Sequence, residues 1–147
     1  MTTTTTRQCG ACSLCCKLPY VKELGKSIDT WCQHCKPGAG CLIYAMRPTT
    51  CRDFVCIWKE GGFSDDWFPA KAKFYLTRLP ESILLVTVDP SFPNAWRKQP
   101  YYSQLLAIAK TKPLKIRIGR RLMAIDADGN ESETTRTQAY LEGREEA

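Results

Sequence analysis

Hydrophobic and polar positions alternate along two stretches in the C-terminal two thirds of the chain. Residues 73–79 place apolar side chains at every second or third position, and residues 82–88 form a denser apolar run after a proline turn. Residues 114–118 alternate strictly, and after the turn at Gly119 the residues Leu122, Ala124 and Asp126 follow at the same spacing of two. A period of two residues is typical of half-buried strands, so each stretch predicts a β-hairpin.

Between the two predicted hairpins, apolar residues repeat at the spacing of a helix. Leu105 and Ile108 share one helical face, Asn94 or Pro100 can open the helix, and Pro113 lies beyond its end. This part of the chain therefore predicts a small antiparallel sheet with a covering helix. The preceding sixty residues hold many turn-forming residues, which restricts them to short elements.

Two short helices are predicted in that N-terminal part. One covers residues 12–18 and is stopped by Pro19, which cannot continue a helix. The other covers residues 50–60 and ends at the glycine pair that begins with Gly61. Neither helix is long enough to build a core by itself, so this part must pack on the sheet.

The composition fits one globular domain. The chain has 147 residues, 44% of them hydrophobic and 10% aromatic, and its mean hydropathy is −0.32. Its longest purely apolar runs are far shorter than the roughly 18 residues that a membrane-spanning helix needs. We therefore expect neither a membrane protein nor a disordered chain.

The net charge of +6 is moderate, and its densest basic stretch spans residues 110–121. This stretch alternates like a pair of strands, so we expect a solvated face of the sheet rather than a phosphate-binding surface. Nucleic-acid binding is not favoured, because such proteins carry denser basic runs. The expected partners are a metal ion or cluster and, as a further possibility, another protein.

The cysteines change the picture most. All nine lie in the first 56 residues, at Cys9, Cys12, Cys15, Cys16, Cys32, Cys35, Cys41, Cys51 and Cys56. Residues 1–8 contain no apolar stretch, so no secretory signal is predicted and a cytoplasmic location is expected, where thiols stay reduced. An odd count also fits a disulfide framework poorly. Clustered thiols in that setting predict metal ligands.

The first four cysteines form the pattern CxxCxxCC. Three thiols at successive spacings of three can wrap one metal centre, as in bacterial ferredoxins, where the fourth ligand is remote. The small residues between them allow backbone N–H groups to approach the sulfurs. Cys15 and Cys16 are neighbours whose side chains are expected to diverge, so one of them serves a second site or stays a free thiol.

The other five cysteines follow a different spacing. Cys32 and Cys35 form a CxxC knuckle that can share a metal, whereas Cys51 and Cys56 are five apart on a predicted helix and do not share its face. His34 lies inside the knuckle, and its side chain is expected to point outward. The set allows two four-thiolate sites, one cluster with one zinc, or a single site with bystanders.

Nearby residues suit such a centre. A divalent ion with four thiolates carries two negative charges, which Arg47 and Arg52 beside Cys51 could compensate, although solvation of a helix end explains them equally well. The aromatic residues are expected to pack around the site and limit solvent access. These residues are Trp31, Phe54, Trp58 and Trp67.

In these residues the chain resembles the YkgJ-type CxxCxxCC cysteine-cluster family, described as a zinc- or iron-chelating domain. The matching residues are the CxxCxxCC run at 9–16, the CxxC knuckle at 32–35 and the ordered string CLIYAMRPTTCRDFVC at 41–56. The resemblance covers roughly residues 9–58 and implies metal chelation by the cysteines. It implies no reaction.

All-thiolate ligation suits both zinc and iron–sulfur centres. The CxxCxxC run favours an iron–sulfur cluster, of the four-iron, four-sulfur type among others, and the knuckle suits zinc. We find no catalytic signature, so a stand-alone enzyme is not favoured and no catalytic residue is assigned. The alternatives are a zinc-stabilised module that binds nucleic acid or protein, and an enzyme whose thiols or cluster do redox chemistry.

Taken together, these patterns predict an α+β protein. A cysteine-rich, metal-organised N-terminal segment packs on a small antiparallel sheet with a covering helix. The expected division is a disordered terminus at 1–8, one metal-binding domain at 9–130 and a flexible acidic tail at 131–147. Within the domain, residues 9–60 hold the cysteines and residues 61–130 form the platform beneath them.

Overall fold

A computed structural model describes residues 12–37, 39–54 and 56–134. It confirms a mixed α+β protein in which short helices precede and cover a five-stranded sheet. The helices are α1 (Leu14–Lys17), α2 (Thr49–Arg52), α3 (Ile57–Glu60), α4 (Pro69–Ala72) and α5 (Tyr101–Ala109). The strands are β1 (Cys35–Lys36), β2 (Gly40–Cys41), β3 (Phe74–Arg78), β4 (Leu84–Val88), β5 (Leu114–Ile118), β6 (Arg121–Ile125) and β7 (Glu131–Glu133).

Both predicted hairpins form. Strands β3 and β4 pair antiparallel, and so do β5 and β6. The sheet nevertheless is not wholly antiparallel, because β4 and β5 lie side by side and run parallel. Helix α5 returns the chain from the end of β4 to the start of β5, as a crossover helix does. The prediction of an antiparallel sheet is therefore wrong at its centre.

The sheet extends into the segment predicted as a tail. Strand β7 pairs antiparallel with β6, so residues past 130 form its edge. Two ion pairs hold this edge: Arg97 donates to both carboxylate oxygens of Glu131 at 2.8 and 2.6 Å, and Arg121 contacts Glu133 at 2.8 Å. Residues 1–11 and 135–147 lie outside the described residues.

The main core lies on one face of the sheet. Alternate residues of strands β3 to β5 point to this face, as the period of two predicts. On β6 the predicted phase is wrong, because Met123 and Ile125 face this core and Leu122 belongs to a separate cluster. Leu105 is fully buried against these strands at the centre of α5, which confirms the covering helix. Trp67 and Trp96 close the ends of this core, and Trp67 packs edge-on against Phe74 and Tyr101.

The opposite face carries the N-terminal segment, and a buried arginine joins the two. Arg117 of β5 donates one hydrogen bond to the Leu18 carbonyl at 3.1 Å and another to the Gly119 carbonyl at 2.8 Å. Its guanidinium also lies 3.7 Å from the Asp29 carboxylate. The expectation of a solvated basic face is thus wrong for Arg117, which is buried because it supplies charge to this junction.

Two lysines fasten the same segment. The Lys17 ammonium contacts the Asp89 carboxylate at 2.8 Å, which ties α1 to the end of β4. The buried Lys26 ammonium donates to three backbone carbonyls, those of Lys17, Pro19 and Ser27. Charged donors on carbonyls are among the stronger hydrogen bonds, so polar contacts hold a loop region that has few apolar side chains of its own.

No helix within the described ranges combines the length and the apolar character needed to cross a membrane.

We expect Arg117→Ala to lower the free energy of unfolding by about 3 kcal/mol, because it removes the ion-pair partner of the Asp29 carboxylate and one of the two donors to the Leu18 carbonyl in a buried setting. Urea unfolding measures this change. Lys115→Ala is the matched control, since Lys115 lies on the same strand and face but is only half-buried, and it should change stability by less than about 0.5 kcal/mol. Equal effects of both substitutions would contradict the role given to Arg117.

Two truncations test where the folded sheet ends. Removing residues 135–147 should leave stability unchanged, whereas removing 131–147 also deletes β7 and its contacts with Arg97 and Arg121. The shorter chain should therefore be less stable by about 1 kcal/mol. Thermal unfolding of both chains measures the difference, and identical midpoints would show that β7 adds nothing to the fold.

Candidate metal centre

Most of the cysteines meet at one cavity of ≈ 590 Å³ between the N-terminal segment and β3. The seven that line it are Cys12, Cys15, Cys16, Cys32, Cys41, Cys51 and Cys56. The Cys35 thiol lies off the wall and is hydrogen-bonded to that of Cys16. Cys9 falls outside the described residues. The thiols that are spread over more than forty positions of the sequence are therefore collected in one place.

Helix α1 brings the first group of thiols to the cavity. Leu14 and Leu18 are buried with Tyr75 of the sheet, and this apolar anchor sets the orientation of the turn between them. The thiols of Cys15 and Cys16 are hydrogen-bonded to each other, and both line the cavity. The two side chains therefore face one cavity instead of diverging, and the expectation that one of them serves a second site or stays a free thiol remains a prediction.

The knuckle lies beside this helix. The Cys32 amide donates to the Cys16 carbonyl at 2.9 Å, which brings the two motifs together. Within the knuckle, the Cys35 amide donates to the Cys32 carbonyl at 3.0 Å and the His34 amide donates to the Cys32 sulfur at 3.4 Å. An N–H group aimed at sulfur stabilises a thiolate, as around metal-bound cysteines.

The two strands that follow pair Cys35 with Cys41 and return the chain to the cavity. His34 does not line the cavity, and its ring nitrogen Nε2 lies 3.3 Å from the Gln33 side-chain amide at the surface. This placement agrees with the outward orientation expected for a histidine inside a knuckle. No imidazole therefore reaches the wall among the described residues.

Cys51 and Cys56 reach the same cavity because the predicted helix of residues 50–60 is interrupted. Helix α2 ends after Arg52, and Cys56 has an extended backbone just before α3. On one continuous helix their spacing of five would separate the two thiols. The interruption lets both Cys51 and Cys56 line the cavity. No local residue pattern predicts this interruption.

The environment shifts the thiol pKa values in opposite directions. The hydrogen bond from Cys16 lowers the pKa of Cys15 to about 7, against the effect of burial and with help from the positive charges of Arg47 and Lys59. That same hydrogen bond and burial raise the pKa of Cys16. Burial, with the neighbouring thiols, also raises the pKa of Cys51. Cys15 is thus prepared to be a thiolate at neutral pH.

Three cations line the cavity with the thiols: Lys26, Arg47 and Lys59. The Arg47 guanidinium stacks 3.9 Å from the centre of the Tyr44 ring and donates to the Cys51 carbonyl at 3.4 Å. Arg52 instead contacts the Thr49 hydroxyl and does not line the cavity. Of the two arginines considered from the sequence, Arg47 is the one placed to compensate thiolate charge.

The sequence analysis missed Lys26 and Lys59. Lys59 follows Cys56 by one helical turn of α3, a spacing that could have been noticed. Lys26 has no local signal, because it reaches the cavity from a separate loop. Burial lowers the pKa of Lys26 to about 8, and its three carbonyl acceptors favour the ammonium form at neutral pH.

Aromatic side chains form much of the remaining wall. Phe54 and Trp58 line the cavity as predicted, and Phe54 packs edge-on against Tyr75 with ring centres 5.0 Å apart. The expectation is wrong for Trp67, which belongs to the main core, and for Trp31, which is largely exposed beside Lys17. Tyr75 also lines the cavity, because it lies on the face of β3 that the cysteine-containing N-terminal segment covers. The sequence pattern assigns Tyr75 to one face of the strand but does not indicate that this segment packs there.

Within residues 12–37, 39–54 and 56–134, no three Cys, His, Asp or Glu side chains already converge into a group that could hold a metal ion. The donor chemistry nevertheless fits a thiophilic metal, since thiols and compensating cations share one wall. Each of these cysteines lies in a loop or in an element of no more than four residues.

Comparisons with protein-family models, with curated proteins and with solved structures found no match to this chain. The resemblance to the YkgJ-type family thus depends on the motif residues alone.

The order of thiol reactivity tests the geometry of the pair. In the reduced, metal-free chain, Cys15 should react with iodoacetamide first, with its rate rising through about pH 7 as the thiolate forms. Cys16→Ala removes the donor and should shift that rise to higher pH, whereas Cys16→Ser keeps a hydroxyl donor and should shift it less. Mass spectrometry of the alkylated peptides measures both. A Cys15 profile unchanged by Cys16→Ala would contradict the hydrogen bond.

Proposed function

We propose that this chain is a metal-binding protein whose cysteines chelate an iron–sulfur cluster or zinc in the thiol-lined cavity. The observation that carries the proposal is the convergence of seven cysteines from separate segments on one cavity. Sequence motifs alone predict the thiols as ligands, whereas the fold is what makes them neighbours. Membership of the YkgJ-type chelating family is part of this proposal.

A different explanation of buried cysteines is simple packing, because free cysteine often acts as a small apolar residue. Such residues fill a core and have no reason to border an open cavity beside cations. Here the thiols border a cavity with Arg47 and Lys59, and six of the eight described cysteines are only half-buried. The arrangement is the one expected of metal ligands.

The charge around the cavity supports the proposal. Four thiolates on a divalent ion leave two negative charges, which are costly to hold near apolar walls without compensation. Lys26, Arg47 and Lys59 supply that compensation, and the Phe54, Trp58 and Tyr75 rings limit access of water. Burial and hydrogen bonding to sulfur are the features through which a protein tunes the potential of a bound cluster.

The CxxCxxC run that begins at Cys9 favours an iron–sulfur cluster over one zinc ion, because bacterial ferredoxins hold a cluster with this spacing. A cluster would supply one-electron chemistry, whereas a closed zinc site would supply structural stability alone. The proposed role is therefore redox, sensing or metal handling, with an iron–sulfur centre preferred.

One observation favours a second candidate, thiol–disulfide chemistry without metal. The Cys16 thiol is hydrogen-bonded to Cys15 on one side and to Cys35 on the other, so it lies next to two further thiols. A thiolate at Cys15 next to two further thiols could exchange disulfides. Exchange activity that persists after removal of metal would favour this candidate.

Anaerobic purification followed by analysis of iron, zinc and acid-labile sulfide tests the proposal. Iron with sulfide is the expected result, and zinc alone would restrict the protein to a structural site. Cys12→Ser should lose metal and lower the unfolding midpoint, because metal binding is coupled to folding in such segments. His34→Gln is the control, since His34 does not line the cavity, and it should retain the metal. A chain that contains no metal, or a Cys12→Ser variant with full content, would contradict the proposal.

A further inference from the structure

Three large hydrophobic side chains are exposed at residues 42, 44 and 46, on the segment whose Ile43 and Tyr44 line the cavity. Leu42 is 69% exposed, Tyr44 48% and Met46 83%. They alternate along a short stretch that runs from β2 into a 3-10 turn, closed by the Met46 amide on the Ile43 carbonyl at 2.8 Å. Surface clusters of aliphatic and aromatic side chains mark interaction sites in soluble proteins.

This apolar stretch continues directly into the thiol-lined cavity, because Ile43 and Tyr44 belong to its wall. Arg47 stacks on the Tyr44 ring at 3.9 Å, and the Lys59 ammonium donates to the Tyr44 hydroxyl at 3.1 Å. Two cations therefore border the exposed apolar side chains. We call the set of Leu42, Tyr44, Met46, Arg47 and Lys59 the rim patch.

The rim patch itself holds two cations, Arg47 and Lys59, and no carboxylate. Residues 12–60 as a whole contain seven Lys or Arg and four Asp or Glu, and one of these cations, Lys17, is paired with Asp89. Three of the four carboxylates are engaged elsewhere: Glu23 accepts from Thr50, Asp29 lies against Arg117, and Glu60 pairs with Arg78. Among the described ion pairs none joins a carboxylate to Arg47.

We propose that the rim patch is the docking site of a protein partner whose surface places carboxylates around an apolar contact. An apolar centre with a charged border is the usual anatomy of a protein interface, and arginine, tyrosine and methionine are enriched there. Complementary charge at the border orients the partner and speeds encounter. The function of this docking rests on the metal-binding proposal, because a partner bound to the rim patch would lie beside the cavity that is proposed to hold the metal.

Other occupants fit the rim patch less well. Two copies of this chain meeting face to face would oppose Arg47 and Lys59 of one copy with the same cations of the other, which repels. Single-stranded nucleic acid needs open aromatic faces, but one face of Tyr44 is already covered by Arg47. Leu42 and Met46 have no ring on which a base could stack, whereas they suit a desolvated protein contact.

Binding is measured by interferometry at low and moderate salt, with plant-type ferredoxin as the acidic probe and cytochrome c as the basic one. Met46→Glu places a carboxylate at the centre of the rim patch. Phe92→Glu makes the same charge change at another exposed apolar residue, one that does not line the cavity. Both variants have equal net charge, so a difference between them reports position rather than overall charge.

We expect salt-sensitive binding of the acidic probe, weakened about tenfold by Met46→Glu and little by Phe92→Glu. Met46→Gln, which removes apolar surface without charge, should weaken it less. Equal loss in the two glutamate variants, no binding at low salt, or equal binding of cytochrome c would overturn the proposal.

Three further results would also overturn it, because they name another occupant. Self-association that Met46→Glu abolishes would indicate a second copy of this chain. Tight binding of an oligothymidine probe that the same change abolishes would indicate single-stranded nucleic acid. Binding of the acidic probe that begins only when residues 135–147 are removed would indicate that those residues occupy the rim patch. Metal content is assayed on every variant. A metal-free chain that still binds the acidic probe would refute the metal proposal alone, and a metal-loaded chain that does not bind it would refute the docking proposal alone.

Discussion

The buried guanidinium of Arg117 is the contact on which the arrangement of the two parts depends. It rises from the central parallel strand of the sheet, and its donors reach the Leu18 carbonyl that ends the first cysteine motif. Its charge also faces Asp29, whose carboxyl has a raised pKa because burial outweighs the effect of the nearby arginine. The face of the sheet opposite the main core therefore receives the loop segment at one defined position, and the cavity forms beside this junction.

The cysteine segment has little hydrophobic core of its own. Its buried cluster consists of Cys12, Leu14 and Leu18 against Tyr75 of the sheet. The rest of its order comes from short hydrogen-bonded turns and from lysines on carbonyls. A segment built in this way gains much from a bound metal, since the ion would link turns that share few apolar contacts. With a metal bound, the thiolates and the cations of the cavity wall would stabilise each other, because an unpaired charge of either sign carries a desolvation cost near the aromatic walls.

Several elements could be predicted because their signals are local. The period of two in residues 114–118 and the helical spacing around Leu105 each reflect burial on one face, which any packing of the chain must satisfy. The parallel pairing of β4 with β5 has no such signal, since an apolar strand looks the same in either direction. Strand β7 is polar at every position and is held by cross-strand pairing and ion pairs, so hydrophobic periodicity does not reveal it.

The sequence by itself predicted the kind of chemistry proposed for this protein, because thiols in CxxCxxCC and CxxC spacings are typical of thiophilic metal sites or redox exchange. It also determined that a sheet and a helix would supply the hydrophobic burial. Only the tertiary structure decided which thiols share a wall, that Arg47 rather than Arg52 lies beside them, and that Lys26 and Lys59 join it. The physical reason is that convergence on a cavity is a long-range property: it depends on the break before Cys56 and on the buried contacts that seat the segment, neither of which a local pattern encodes.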